Sequence, residues 1–431
     1  MTHRIVFVCL AVLALPAAAA VRICHSINSD VMADNTGATP AATAFNTCIA
    51  DPLVTSIDLP PGTYLIEHQV IVKAMTGRTS FTIRTAGLAG NTKNCEQLGA
   101  AACATLFASA EPTACINQKS CGNVPADGGG FLQSIGAKHV IFDHLILDGN
   151  ARNRTYLPEM LKHCKGGNGI KNEQFWGFNS RMVGCFASPN GDRCEFTYNF
   201  THDAVCSASL QFEGSYGRVQ GNAVFANGIH QRYLWADGIS IPANDNGIVN
   251  DNHLVDNTDV ALIIGSGVNT HIQSNWIQQR QRYVFAALML GNFREGGDTT
   301  RSGNYNGAMI DHNTIQCANL CAFGINFGPD PWLATAQDNV FGGMVNANSI
   351  DGAKVAINFG GANNINVTNN TLTHAPLNAT NLGSNGQSPC ATNAGALVNL
   401  PNSGICINSI NYPGANEALC FMDCWKNEPV P

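Results

Sequence analysis

The chain has 431 residues, of which 45% are hydrophobic and only 12% are charged. This low charge density excludes a disordered polyelectrolyte and a solvated helical rod, and the length is suited to one long repetitive domain. The formal net charge of -7 provides no general attraction to phosphate backbones or anionic lipid. We therefore expect no nucleic-acid partner.

Residues 1–20 have the pattern of a secretory signal. His3 and Arg4 are basic, residues 5–15 form an apolar run of eleven, and small residues lead up to Ala20. Because eleven residues are too few to span a bilayer, we expect a secreted product, extracellular or periplasmic, without a membrane anchor. The alternative is a buried N-terminal helix.

The cysteine content indicates a disulfide framework. Seventeen cysteines become sixteen when Cys9 leaves with the signal, and an even number in an exported chain is typical of disulfides. Zinc is the alternative for closely spaced pairs. Two such pairs occur, Cys317/Cys321 and Cys420/Cys424.

An irregular repeat occupies the middle of the chain. One strand of the repeat contains, in order, an apolar residue, two residues of any type, Asn, one residue of any type and a second apolar residue. Six copies match: Val219-Asn222-Val224, Val249-Asn252-Leu254, Ile272-Asn275-Ile277, Ile310-Asn313-Ile315, Val345-Asn348-Ile350 and Val367-Asn370-Leu372. Degraded copies are centred on His144 and Cys185. Asn at one turn of every coil predicts a ladder of stacked side-chain amides with a structural role, and Asn as a ligand is the alternative.

A second strand follows each Asn. Its second and fourth residues are large and apolar, so we expect them to point inward, with the third residue pointing outward. The inward pairs are Ile239/Ile241, Leu262/Ile264, Leu288/Leu290, Ile325/Phe327 and Ile357/Phe359. The shortest steps between successive Asn positions are 22 and 23 residues, about one three-sided turn of a parallel coil. The sequence therefore predicts an all-β fold, a parallel β-helix or solenoid.

The ends of the chain differ from the middle. Residues 21–130 are expected to form a Cys-rich N-terminal cap and the first coils, with a short helix before Cys48 and a strand within 59–66. Residues 131–375 are expected to form the β-helix with its Asn ladder, and 376–431 a disulfide-rich C-terminal cap. Because capped ends do not associate edge to edge, we expect a monomer.

The chain resembles the right-handed parallel β-helix proteins of the pectate-lyase superfamily. The likeness is carried by DNTGATPAATAFNTCI at 34–49, by IDLPPGTYLI at 57–66, by HVIFDHLILDGN at 139–150 and by the Asn coils. The first two segments resemble the polygalacturonase branch. Of that branch's catalytic pattern, WADG supplies Asp237, and DNTD on the following coil supplies Asp256 and Asp259. The next two coils read FAALML and AFGINF, without the branch's His-Gly and Arg-Ile-Lys.

The spacing between Asn and second strand predicts a notch over the short connection that holds Asp256 and Asp259. Longer connections flank it, and their side chains suit a sugar chain because aromatic faces stack on pyranose rings and Arg forks bind carboxylates. The expected substrate-binding residues are Arg232, Tyr233, Trp235, Arg282 and Tyr283. Exposed Arg and Tyr that merely cover apolar surface are the alternative.

Two reactions on an acidic polysaccharide suit these residues. Hydrolysis would use the carboxyl pair Asp237 and Asp259, and β-elimination would use His230, Arg280 or Arg282. Asp256 and Asp259 are tentative ligands for Ca²⁺, with no cofactor otherwise expected. Aspartates that bind backbone amides in the turns are the alternative to both roles.

The sequence thus favours a secreted protein acting on an acidic polysaccharide, as a lyase or a glycoside hydrolase. A non-catalytic carbohydrate-binding protein, or a surface or adhesive β-helix, remains the alternative, because fold does not choose between them.

Overall fold

The computed structural model describes residues 20–109, 132–153, 181–186, 193–205, 207–232, 235–291, 303–327, 340–359, 362–375, 397–398 and 405–407. The expected signal 1–20 lies outside these residues except for Ala20. The expected cap 376–431 lies outside them except for two short strands.

The chain winds through three long parallel sheets in turn, which makes the fold a right-handed parallel β-helix, as predicted. Sheet 1 contains Ser56–Leu59, Phe81–Thr85, His139–Asp143, Arg193–Thr197, Arg218–Gln220, Ile248–Asn250, His271–Gln273, Met309–Asp311, Met344–Asn346, Ile365–Thr368 and Leu397–Val398. Sheet 2 contains Thr36–Pro40, Gly62–Ile66, Ala104–Ala108, Leu145–Asp148, Phe200–His202, Ala223–Phe225, His253–Val255, Trp276–Gln278, Thr314–Gln316, Ser349–Asp351 and Thr371–Thr373. Sheet 3 contains Val70–Lys73, Leu132–Ile135, Arg181–Phe186, Ser207–Ser215, Ala236–Asp245, Val260–Ile264, Val284–Leu290, Cys321–Phe327, Val355–Phe359 and Ile405–Ile407.

The N-terminal elements cover the first coil. An antiparallel pair, Ala20–His25 with Asp30–Asp34, precedes the helix Ala42–Ala50, which is the short helix that the sequence predicts. A disulfide joins Cys24 to Cys48 on this helix. The remaining described elements are the helix Cys95–Leu98, the 3-10 helix His230–Arg232 and the parallel pair Val340–Phe341 with Ala362–Asn363.

A tight turn joins sheet 1 to sheet 2 on every regular coil and holds the predicted ladder. In each such turn a residue with positive φ comes directly before the ladder Asn: Tyr198, Gly221, Asp251, Ser274, His312, Ala347 and Asn369. The Nδ2 of Asn252 donates to Oδ1 of Asn275 at 2.9 Å and to the backbone oxygen of Val219 at 2.8 Å. The same bonds recur from Asn199 to Asn370, so the ladder is confirmed.

Four details of the repeat differ from the sequence prediction. The pattern around each Asn is two strands separated by the turn, not one strand. Asn199 belongs to the ladder although Thr201 takes the place of the apolar residue that the pattern requires. Leu145, not His144, occupies the ladder position one coil earlier, because its backbone N–H donates to Oδ1 of Asn199. Cys185 lies within sheet 3 and not at such a turn.

The inner core contains the predicted apolar pairs of sheet 3. All ten of these residues are buried in one cluster that runs along the axis of the coil. The third residues lie on the outer face of sheet 3, where Ile263 and Met289 are also buried in a separate apolar cluster. Sheet 3 is therefore covered on both faces along these coils.

Disulfides, not zinc, account for the described cysteine pairs. Cys95 is bonded to Cys103, and Cys317 to Cys321. Cys420 and Cys424 lie outside the described residues. In the region 376–431, Leu397–Val398 and Ile405–Ile407 add strands to sheets 1 and 3. Within the described part of the chain, none of the helices is long and apolar enough to cross a membrane.

Replacing a central ladder residue should destabilise the whole coil. We expect Asn275→Ala to lower the free energy of unfolding by about 3 kcal/mol, because Asn252 loses the acceptor for its backbone and side-chain N–H groups. Urea unfolding measures this loss. The exposed Asn28 provides the control, and equal effects of Asn28→Ala and Asn275→Ala would contradict the structural role.

Candidate functional site

The predicted site residues other than Asp237, which lies in the strand Ala236–Asp245, belong to three consecutive connections from sheet 2 to sheet 3. These connections, which we call the ridge, are the turn after Phe225, residues 256–259 and residues 279–283. A second amide stack supports them. Nδ2 of Asn227 donates to Oδ1 of Asn257 at 2.7 Å, and Nε2 of Gln279 donates to the backbone oxygen of Asn257 at 2.9 Å. The ridge is thus built on hydrogen bonds from coil to coil.

Asp237 and Asp259 lie on adjacent coils at the start of sheet 3. The backbone N–H of Asp259 donates to the oxygen of Ala236 at 3.2 Å. Oδ1 of Asp237 accepts from the N–H of Val260 at 3.0 Å, and Val260 directly follows Asp259. The Asp237 carboxylate therefore extends to the coil that carries Asp259. Both residues are half-buried.

His230 is a buried part of the ridge. Its side chain is only 1% exposed, and Nε2 donates to the backbone oxygen of Thr258 at 2.6 Å. The half-buried Trp235 packs edge-on against its ring, with the ring centroids 5.3 Å apart. The His230 ring thus helps to hold the first connection against the second.

Asp256 organises the third connection. Its Oδ1 accepts from the backbone N–H groups of Arg280, Gln281 and Arg282 at 2.7, 2.9 and 3.3 Å. This carboxylate thus caps a turn, which is the alternative role that the sequence leaves open. Calcium usually takes six to eight oxygen ligands. Oδ1 of Asp256 already accepts three N–H groups, and calcium binding by Asp256 and Asp259 stays a prediction.

Arg280 and Arg282 have different surroundings. Arg282 is 8% exposed, and its guanidinium crosses residues 256–259 to donate to the oxygen of Gly228 at 2.6 Å. It therefore fills space in the predicted notch and ties its two flanks together. Arg280 is exposed, and its Nε donates to Oε1 of Gln278 at 2.7 Å. A guanidinium at this exposed position can meet a ligand.

The remaining predicted site residues are only partly described. Tyr283 is half-buried in the third connection. Arg232 ends the 3-10 helix of the first connection. The Arg232 side chain and the whole of Tyr233 lie outside the described residues.

Sequence reasoning missed an aromatic pair beside Arg280. His253 and Trp276 come from neighbouring strands of sheet 2, and their rings stack 4.2 Å apart at an interplanar angle of 7°. Both residues lie on three-residue strands outside the connections, where the sequence contains no motif that indicates a site. Burial, together with the charge of Arg280, lowers the pKa of His253 to about 4.

One further group of side chains could hold a metal ion among the residues that the structure describes, namely Asp148, His202 and Asp203. Nδ1 of His202 donates to Oδ2 of Asp203 at 3.0 Å, and Nε of Arg152 donates to Oδ1 at 3.0 Å. Burial opposes protonation of His202, but the bond to Asp203 and the charges of Asp148 and Asp203 raise its pKa overall. These contacts describe an ion-paired histidine.

No protein-family model and no curated protein matches this sequence. Solved structures with a similar course of the chain include the A-module of mannuronan C-5 epimerase AlgE6 from Azotobacter vinelandii, with a TM-score of 0.48, 13% identity and coverage of 80% of this chain and 75% of the other. The polygalacturonase from Erwinia carotovora ssp. carotovora has a TM-score of 0.45, 10% identity and coverage of 85% and 94%. Endopolygalacturonase I from Stereum purpureum has a TM-score of 0.42, 14% identity and coverage of 74% and 80%.

The two arginines of the ridge should differ in their effect on stability. We expect Arg282→Ala to lower the free energy of unfolding by about 2 kcal/mol, because it leaves buried backbone oxygens without their charged donor. Arg280→Ala should change it by less than about 0.5 kcal/mol, since the side chain is exposed. Denaturant unfolding of both variants measures the difference, and equal losses would refute the bridging role of Arg282.

His253 should make the fold less stable in acid. Its pKa in the folded protein, about 4, lies below the ordinary value of 6.5. The unfolded chain therefore binds the proton more readily, and this contribution to stability is lost as the pH falls from 6.5 through 4. Replacing the ring by His253→Phe should reduce the loss of stability between pH 7 and pH 4. An unchanged pH dependence would show that His253 titrates normally.

Proposed function

We propose that the protein hydrolyses glycosidic bonds in an acidic polysaccharide, with Asp237 and Asp259 as its catalytic carboxyl pair. One observation carries the proposal: the Asp237 carboxylate bonds to the peptide group that directly follows Asp259. Residues separated in sequence by a full coil thus lie side by side at the start of sheet 3. Two half-exposed carboxyls on adjacent coils can divide the work of acid and base at one bond.

The surroundings favour hydrolysis over β-elimination. Elimination needs a base that reaches a carbon-bound proton next to a carboxylate, and the sequence offered His230, Arg280 and Arg282. His230 is buried and donates to a backbone oxygen, and Arg282 is bound to the backbone oxygen of Gly228. The exposed Arg280 lacks the buried environment that an arginine base needs. Among the predicted catalytic residues, this argument leaves the carboxyl pair.

The ridge supplies the groups that would hold an acidic sugar chain. Arg280 presents an exposed guanidinium that suits a uronate carboxylate. Trp235 and Tyr283 are half-buried on the two flanks, and each offers an amphipathic ring. In this proposal they bind the substrate, whereas His230, Arg282 and Asp256 keep the ridge in shape.

The disulfides support a site of action outside the cytoplasm. Such bonds persist in oxidising compartments. We propose that the enzyme works outside the cytoplasm after removal of residues 1–20, as a monomer.

Non-catalytic binding of the same polysaccharide is the second candidate. The observation that favours it is again the bond from Val260 to Asp237, because a carboxylate that holds a backbone N–H has a structural use. In that case the ridge would retain the glycan without cleaving it.

Substituting either carboxyl should separate the two functions. We expect Asp237→Asn and Asp259→Asn to lower kcat on polygalacturonate at least about 100-fold, because a positioned acid or base contributes this much, while the glycan still binds. New reducing ends measure hydrolysis, absorbance of unsaturated ends would reveal elimination, and calorimetry measures binding.

Asp245 offers a matched control at the other end of the same strand. Its Oδ1 also accepts a backbone N–H from the next coil, that of Val268 at 2.9 Å. Asp245→Asn should therefore leave kcat unchanged. Undiminished turnover in both site variants would overturn the carboxyl assignment, and retention of the glycan without turnover by the unaltered protein would establish the binding function.

A further inference from the structure

We propose that the outer face of sheet 2 carries a second glycan site, which binds a neutral pyranose chain against Trp276. This site goes beyond the proposed function, because it lies on the strands of sheet 2 and not at the carboxyl pair. The proposal depends on three features of that face: a row of stacked rings, a run of short polar side chains beside it and the charges of these side chains.

The row of rings forms a wall across neighbouring coils. Phe200 contacts Phe225 with ring centroids 5.4 Å apart, and Phe225 contacts His253 at 4.9 Å. His253 then stacks on Trp276 at 4.2 Å and nearly parallel. The wall therefore ends at Trp276, whose indole has His253 on one of its two faces.

Short side chains follow Trp276 in the same column of the sheet. The strand registers place Thr314, Ser349 and Thr371 successively after Trp276. The neighbouring column contains Gln278, Gln316, Asp351 and Thr373. Alternation puts both columns on the outer face, because the residues between them, such as Ile315 and Ile350, are buried in the core. We call the residues of both columns other than Trp276 the shelf.

The change from bulky rings to short side chains leaves part of the Trp276 indole accessible. Trp276 is 40% exposed, although His253 stacks against it and its Nε1 donates to Oε1 of Gln316 at 3.4 Å. The next residue in its column, Thr314, is too short to cover the ring. A pyranose ring lying on the shelf can stack on this accessible part of the indole, since sugar rings present C–H groups to aromatic surfaces.

The shelf has the chemistry of a sugar site. Its hydroxyl and amide side chains can donate and accept hydrogen bonds with sugar hydroxyls. Gln316 already takes part in a side-chain network, because its Oε1 accepts from Nε2 of Gln278 at 2.9 Å. Interior strands of a β-helix have no free edge for an added strand, and the shelf offers no apolar patch for a protein partner.

The opposite charges at the two ends of the shelf favour a neutral chain. Asp351 is the charged member of the two columns, and its Oδ1 accepts from Thr373 and lies 2.6 Å from Nδ1 of His374. A carboxylate at this position repels uronates, whereas the hydroxyl groups of a neutral glycan can bond to it. Arg280 donates to Gln278 on the Trp276 strand, so a chain lying along the shelf meets this cation at one end and the Asp351 carboxylate two coils further on.

Calorimetric titration of the full chain with neutral hexasaccharides tests the proposal. The probes are cellohexaose, xylohexaose, mannohexaose and maltohexaose. We expect at least one to bind, Trp276→Ala to weaken that binding at least about 10-fold, and Trp276→Phe to restore most of it because an aromatic face returns. Trp276→Ala should leave the cleavage of polygalacturonate unchanged.

Tyr216 serves as the control, since it is an exposed aromatic residue next to sheet 3 and far from the shelf in the fold. Tyr216→Ala should bind as the unaltered protein does. Absence of binding by all four probes, or equal binding by Trp276→Ala, would overturn the proposal. Displacement of the neutral probe by polygalacturonate would show that the two sites are one. Loss of polygalacturonate cleavage in Asp259→Asn with intact hexasaccharide binding would separate this site from the proposed catalytic one.

Discussion

The structure depends on a column of buried side-chain amides that repeats once per coil. Each ladder Asn, such as Asn252, gives its Nδ2 to a backbone oxygen of the coil before it and to the amide of the coil after it. An unpaired amide at such a buried position costs about 1–3 kcal/mol. The column therefore permits one register between coils, because a slip of one residue would leave every member without a partner and reverse the faces of the strands.

That register explains why residues far apart in sequence become neighbours in the ridge. The connection from sheet 2 to sheet 3 begins from strands whose alignment the ladder has already determined. A second amide stack, Asn227 with Asn257, continues the same alignment through the ridge. Asp237 and Asp259 thus lie on adjacent coils at the start of sheet 3. The connections can differ in length without changing the alignment of the strands in the sheets.

Much of the fold could be predicted from the sequence because its signals are local and periodic. Period two identified the inward residues of sheet 3, and a fixed spacing identified the ladder. The pattern does not identify Asn199, because Thr201 stands where the second apolar residue is required. It wrongly identifies His144 as a ladder position, because apolar residues flank it at the required spacing. Only the register shows that Leu145 holds that position.

The candidate site was less predictable because long side chains cross between coils. Nothing in the sequence distinguishes Arg280 from Arg282, yet one is exposed and the other reaches Gly228. The sequence left the role of Asp256 open, because its bonds to three backbone N–H groups depend on how the third connection folds. Trp276 lies on a strand and not in a connection, and the stacking of rings on a strand face appears only when coils are aligned.

A double-mutant cycle across the ladder tests the central claim most directly. The cycle combines Asn252→Ala and Asn275→Ala and compares the free energies of unfolding of the single and double variants. If the amides stack as described, the second substitution costs less once the first is made, with a coupling of at least about 1 kcal/mol. Effects that add within about 0.5 kcal/mol would show that the two side chains act independently and would contradict the account.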